Sequence, residues 1–341
     1  MTGFPAPRQS VAMVFCIEPG RLEAQARLLA ASVRQFGGGF AGCELIAVQP
    51  RGVEALTAAT QSAFAELGVR HLAGRLNVDH ADVPTANKVY AIDAVSAQTD
   101  SDFLVFLDSD TVVVNEPALF VLPEGVDLGL RPTVRKFRGS SGPRDRADRF
   151  WQRLFSAAGV AEPGFVRTVA DKVLIRGYYN AGLAVMRRRA GLAKGWLEHL
   201  RCIDKVVVEG RNNLDQFALA TLAAKAGERV GLLPFTYNYP INRRAELVGV
   251  ERNAPLRDLV HIHYHEAFCI PDFLRRARPA LEGGDERFRW LEERLPLPPV
   301  VSTPWRPAKR LPRRLAARIR LAADRWKGTT FVRQIGRGEG T

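Results

Sequence analysis

Strand and helix signals alternate through the first 110 residues, and this alternation limits the fold more than any other feature of the chain. An apolar strand in "RQSVAMVFCIEPG" closes on a Pro-Gly turn. It is followed by "RLEAQARLLAASVRQFGGG", where Leu22, Ala26, Leu29 and Val33 recur at helical spacing before a glycine stop. The unit then repeats, with a strand in "CELIAVQP", a helix in "GVEALTAATQSAFAELG", a short strand at "VRHL" and a helix in "TANKVYAIDAVSAQ" after Pro84. "FLVFLDSD" reads as the next strand. Parallel strands need crossover helices and must be covered on both faces, so the pattern predicts an α/β fold: a Rossmann-like, three-layer α/β/α sandwich around a mostly parallel sheet. In such sheets the ligand lies beyond the carboxyl ends of the strands.

The alternation fails after residue 130. A basic loop and an amphipathic helix occupy "RPTVRKFRGSSGPRDRADRFWQRLFSAAG". Strand-like "VLIRGYYNAGLAVMRR", helices in "LAKGWLEHLRCIDK" and "LDQFALATLAAKAG", and strands in "VGLLPFTYNY" and "LVHIHYH" follow. Six prolines between 296 and 312 mark a linker, which divides the chain into a domain at 1–295 and a tail at 296–341.

Composition removes several classes. With 46% apolar residues the 341-residue chain can bury a large core, so it is not disordered. Cys16, Cys43, Cys202 and Cys269 are scattered and fit neither a disulfide framework nor a structural zinc, pointing to a reducing cytosol. The opening segment has no secretory pattern, and no stretch reaches the roughly 18 to 20 apolar residues of a membrane span. The net charge of +13 is concentrated at 301–341, where eleven Lys or Arg face only Asp324 and Glu339.

Asp108 and Asp110 end the apolar run "FLVFL", at the sheet edge where a ligand would sit. Period two places both carboxylates on one side, where they repel unless a cation lies between them. Mg²⁺ or Mn²⁺, which take one or two carboxylates and fill their other positions with water and phosphate oxygens, is the economical partner. The alternative is a solvated turn, for which Asp and Ser are well suited. His261, His263 and His265 alternate along one strand and so share a face; a zinc there would lack an evident fourth ligand, and histidines bonded at a sheet edge are the plainer reading.

"VFLDSDTVV" resembles the Asp-x-Asp segment of GT-A type glycosyltransferases, and three further segments follow in that family's order: "GYYNAGLAVMRR", "NLDQFAL" and "HIHYH". The similarity covers roughly residues 10 to 270 and is nearest to glycosyltransferase family eight, which includes glycogenin and bacterial lipopolysaccharide galactosyltransferases. The resemblance implies a metal-dependent enzyme using a nucleotide-diphospho-sugar, a UDP-sugar, with a donor-binding half at about 1–130 and an acceptor-side half at 131–295. It implies Asp108, Asp110 and His263 as metal ligands. It places Ile17, Glu18, Asn87, Lys88 and Ser109 with the two aspartates at the donor, and Asp215, Gln216 and Asn180 at the reacting sugar. A neutral imidazole beside carboxylates suits Mn²⁺ over Mg²⁺. One departure stands out: the family's lysine after the histidine is missing from "HYHEAFCIPDFLRRARP", which leaves the metal with Arg275, Arg276 or Lys88 to neutralise a diphosphate.

Retention requires no strong general base, whereas inversion would use a carboxylate such as Asp215 on the acceptor hydroxyl. Two other classes remain open. A sugar-phosphate nucleotidyltransferase would need a glycine-rich basic loop after the first strand, which "FCIEPGRLEAQ" lacks, and a basic binding module without enzymatic activity would use the aspartates structurally. In the tail, Leu311, Leu315, Ile319, Ala322 and Trp326 form one apolar stripe among arginines, predicting a helix over 306–327 that lies on an anionic membrane at the inner face, or packs on a partner. The tail lacks the interleaved aromatics expected for nucleic-acid binding. The acceptor expected of such an enzyme is a saccharide, glycolipid or other envelope component.

Overall fold

The computed structural model describes residues 9–281, 285–298 and 332–335. The first half follows the expected order: β1 (Val11–Cys16), α1 (Arg21–Phe36), β2 (Glu44–Gln49), β3 (Arg51–Gly52), α2 (Ala58–Glu66), β4 (Val69–Arg75), α3 (Asn87–Ser96) and β5 (Phe103–Leu107). Next come β6 (Thr111–Val113), β7 (Leu128–Pro132), α4 (Asp148–Ala157), β8 (Phe165–Arg167), β9 (Leu174–Arg176), β10 (Tyr179–Arg187), α5 (Leu192–Asp204) and α6 (Leu214–Ala226). The remaining elements are β11 (Val230–Leu232), β12 (Tyr239–Pro240), α7 (Gly249–Asn253), β13 (His261–His263), α8 (Phe273–Leu281), α9 (Glu286–Glu292) and β14 (Arg333–Gln334).

Among the described residues the main sheet runs β14-β11-β7-β10-β5-β1-β2-β4-β3. Strands β5, β1, β2 and β4 are mutually parallel, whereas β10 is antiparallel to both β5 and β7. The alternation of β1 side chains explains the three layers. Ala12 and Val14 face a core shared with α3, α5 and α6, including Trp196 and Phe217, while Val11, Met13 and Phe15 face a core shared with α1 and α2. Each fully buried Val, Leu or Phe contributes about 1.5–3 kcal/mol, so burial on both faces fixes these strands at the centre. Local signals set the helix starts. The Thr57 side chain accepts from Thr60 N to begin α2, and Glu23 of α1 accepts from Gly20 N at 2.8 Å.

Several boundaries differ from the sequence expectation. The strand at 230–239 stops at Leu232, because Pro234 has no N–H to continue the ladder, and the chain re-enters a second, three-stranded sheet at Tyr239. The 173–188 run is broken at Gly177 into β9 and β10, and "FLVFLDSD" ends as a strand at Leu107. The helix expected over 52–68 is shorter, since Thr57 caps it only at Ala58. Residues 296–298 dock against the fold: Leu297 is buried and its N–H donates to the Phe268 carbonyl at 2.8 Å. Residues Arg333–Gln334, expected in the tail, add a parallel edge strand to β11. The helix expected over 306–327 lies outside the described residues. No helix among the described residues is long and apolar enough to cross a membrane.

Candidate active site

The second sheet explains why the paired aspartates meet a histidine. β6 begins directly after the Asp108-Ser109-Asp110 turn, and β13 pairs antiparallel to it with His263 opposite Thr111. The turn is fixed by Thr111 Oγ1 donating to the Asp108 carbonyl at 2.7 Å, Ser109 Oγ donating to the Cys16 carbonyl, and Asp108 N donating to the Gly182 carbonyl at 2.9 Å. The segment is therefore both a turn and a convergence of carboxylates at the carboxyl ends of β1 and β5. Nε2 of His263 lies 3.2 Å from Asp110 Oδ1 and 3.9 Å from Asp108 Oδ2.

His265 joins this group, with Nδ1 3.6 Å from Asp110 Oδ2 and its ring centroid 3.8 Å from that of His263. The three histidines do not share a strand face. β13 ends at His263, and His265 adopts φ 51°, a left-handed turn that swings its ring back beside His263. His261 lies two residues before His263 on β13, buried, with Nδ1 accepting from the N–H of Asn238 at 3.2 Å; burial pushes its ring down to about 3. Burial alone would raise the Asp110 carboxyl, yet His263 and His265 hold it well below the usual carboxylate range. Burial likewise disfavours a charged His263, but Asp110 outweighs it and raises the ring, while burial and its neighbour His263 lower His265.

A polar relay fixes the tautomer of His263. Asn180 Oδ1 accepts from Gly182 N at 2.8 Å and from Asn238 Nδ2 at 2.9 Å, so the Asn238 carbonyl oxygen is left to accept from His263 Nδ1–H at 3.0 Å. That leaves the Nε2 lone pair aimed at the carboxylates. Gly182 makes the approach possible, since a Cβ there would lie 2.4 Å from His263 Cε1 and 2.8 Å from Asn180 Oδ1.

On the other side of Asp108 lies Lys88, one of the buried charges of the fold. Its Nζ is 2.8 Å from Asp108 Oδ1 and 3.1 Å from Asp215 Oδ2. Burial opposes the ammonium, but the two carboxylates outweigh it and hold Lys88 above its usual value. Burial raises the Asp215 carboxyl against the pull of Lys88, and Asp215 Oδ1 has no hydrogen-bond partner among the described residues. Gln216, next in α6, is half-buried and donates to Asn213 Oδ1 at 3.2 Å. At the end of β1, Ile17 is buried and Glu18 pairs with Arg51 while accepting from Asn87 Nδ2 at 3.0 Å. Arg275 and Arg276 are exposed on α8, Arg275 paired to Asp272 at 2.8 Å.

The residues fit a divalent cation. Ligand atoms of Asp110, His263 and His265 lie within 4.8 Å of one another, with Asp108 alongside, and a mixed set of carboxylate oxygens and imidazole nitrogens with a pre-set Nε2 suits Mn²⁺. His265, Asn238 and Arg51 are the members that the sequence reading did not assign. His265 lay in the "HIHYH" run and could have been weighed equally with His263, whereas nothing local marks Asn238 or Arg51.

The fold is shared with the solved galactosyltransferase LgtC in complex with donor and acceptor sugar analogs, at 18% identity and a TM-score of 0.50 over 86% of this chain and 97% of that one. An active-site mutant of LgtC aligns equally, at 17% identity and a TM-score of 0.50 over 86% and 97%. No curated protein matches the chain. The mostly parallel sheet, with its acidic turn at the carboxyl edge, has the GT-A fold. Residues 13–227 match the Rhodobacterales glycosyltransferase domain, and the chain belongs to that family. It is a glycosyltransferase, and the nucleotidyltransferase and purely binding readings fall away.

Proposed function

We propose that this glycosyltransferase moves a sugar from a nucleoside-diphosphate sugar, a UDP-sugar, to a hydroxyl of a saccharide or glycolipid acceptor, and that it depends on Mn²⁺ or Mg²⁺ held by Asp108, Asp110 and His263 with His265. The observation that carries this reading is the Asp110 carboxylate set between two imidazoles, at 3.2 and 3.6 Å, beside a second aspartate at the sheet's ligand-binding edge. The bound ion would supply Lewis-acid stabilisation of charge on the departing diphosphate.

The chain's own groups supply binding and orientation. Ile17, Glu18, Asn87 and Ser109 surround the end of β1, where a base and ribose would lie, with Glu18 held in place by Arg51. Asp215 and Gln216 open α6 beside the aspartates, where the half-buried Gln216 can reach a sugar hydroxyl and the buried Asp215 is held by Lys88. Asn180 acts through Asn238 to orient His263. Retention is supported by the state of Asp215, buried and ion-paired to Lys88, which leaves it poorly placed to take a proton from an incoming acceptor.

The enzyme is proposed to work in the cytoplasm, held to the inner face of the membrane by 306–327, a reading supported by the apolar stripe among arginines in that sequence. Co-sedimentation with anionic liposomes tests this, and equal binding with and without 301–341 contradicts it. Donor use is tested by thermal shift against UDP, GDP, CDP and ADP with and without Mn²⁺. The reading expects one nucleotide, UDP, to stabilise the protein in a Mn²⁺-dependent way; stabilisation by none of them contradicts it.

A further inference from the structure

A cleft of about 490 Å³ lies at the acidic turn, with Asp110, His265, Arg21, Arg243, Ile270 and Phe273 among its lining residues. Such a volume is in the range of small-molecule sites. The two arginines come from separate elements. Arg21 is the first residue of α1, directly after Gly20 at φ 95°, and Arg243 lies in the helical turn at 241–246 that follows β12. Both side chains reach solvent. Arg243 has Glu246 at 3.5 Å, but that carboxylate is held closer by Arg135 at 2.6 Å.

Two of the three cations that the sequence offered for a diphosphate are committed elsewhere, and the third, Arg276, is exposed on α8. Lys88 is buried between Asp108 and Asp215, and Arg275 is paired to Asp272 on an exposed face. A ligand carrying two phosphates, with an oxygen near Asp110 and His265, would therefore have its remaining negative charge in a cleft bordered by two guanidiniums and the positive end of the 16-residue helix α1. Asp110 and Glu266, which also line the cleft, equal the two arginines in number, so a cation held at Asp110 would leave the arginine charge in excess.

We infer that Arg21 and Arg243 bind the diphosphate of the donor, in place of a lysine that the segment after His263 lacks; this rests on the nucleotide-sugar reading above. The arginines then set affinity for the phosphates and leave affinity for the base untouched. Isothermal titration of the full chain with UDP, GDP, CDP, ADP and the matching nucleosides, in Mn²⁺, tests it on Arg21→Gln and Arg243→Gln. Both side chains are exposed, so the variants are expected to fold, which an unchanged melting midpoint verifies. Each variant should weaken the preferred nucleoside diphosphate at least about tenfold while the nucleoside and Mn²⁺ alone bind as before. Wild-type affinity for the diphosphate in both variants overturns the inference and leaves the proposed function standing. A wild-type chain that binds none of the four diphosphates overturns both.

Discussion

The Lys88 ammonium lies 2.8 Å from Oδ1 of Asp108, so one carboxylate of the acidic turn is tied to the helix α3 behind it. The same ammonium meets Asp215 of α6 at 3.1 Å, which makes Lys88 a buried bridge between the turn and the proposed sugar-binding helix. Removing it would leave Asp215, 1% exposed, without a counter-charge. Breaking a buried pair from one side costs about 3–5 kcal/mol. Lys88→Met should lower the urea-unfolding free energy by about that much, and Lys88→Met with Asp215→Asn should recover a good part of it; a Lys88→Met chain as stable as wild type refutes the bridge.

Gly182→Ala probes the approach of His263. The added Cβ would stand 2.4 Å from that ring and meet the relay oxygen of Asn180, both within the walls of the site. Overpacking of this kind costs about 1–3 kcal/mol. The larger expected effect is on Mn²⁺ affinity, read by calorimetry, because the Nε2 lone pair is turned away. Unchanged Mn²⁺ binding by a folded Gly182→Ala chain shows that the ring is not a ligand.

Asn238→Leu removes the acceptor for His263 Nδ1–H and the donor to Asn180. Loss of such an outer partner typically weakens a metal about 10- to 100-fold. Calorimetric titration of Mn²⁺ should show that loss, with the nucleoside affinity retained in excess Mn²⁺; a full-strength Mn²⁺ isotherm contradicts the relay.

Acid should weaken the fold well above the carboxylate range. Burial keeps His199 neutral down to about 4, and it holds His261 neutral to about 3. The unfolded chain takes up these protons near pH 6.5, so it binds more protons than the native state between that pH and the depressed values. Stability is therefore complete above about 6.5 and declines as pH falls toward about 4. His199, whose Nδ1 lies 2.9 Å from Thr221 Oγ1, is the cleaner probe because His261 neighbours the proposed ligands His263 and Asp110. The melting midpoint of His199→Gln, measured between pH 7 and 4, should fall less steeply than that of wild type; parallel curves contradict the assignment.

The parallel half of the fold was legible because strands covered on both faces become unbroken apolar runs such as "VAMVFC" and "FLVFL", and their helices carry local caps. The antiparallel entry of β10 between β5 and β7 was not, since partner choice depends on long-range packing that no local pattern records. Within the site, Asp108, Asp110 and His263 stand out by residue type and order. His265 is turned into place by a left-handed backbone at a non-glycine residue, which a period-two reading cannot see. Asn238 reaches His263 from the residue before β12, in a second sheet whose pairing of β12, β13 and β6 no local pattern records. Lys88 was read as a phosphate contact or the partner of one aspartate, and its burial between two acids emerges only when α3 and α6 pack together.

Calorimetric titration of the apo chain with Mn²⁺, alongside Asp110→Asn and His263→Ala, addresses the central claim most directly. The account predicts one saturable site in the wild type and a loss of at least about a hundredfold in each variant, since removing a ligand costs more than removing its outer partner. Equal Mn²⁺ affinity in all three proteins would contradict it.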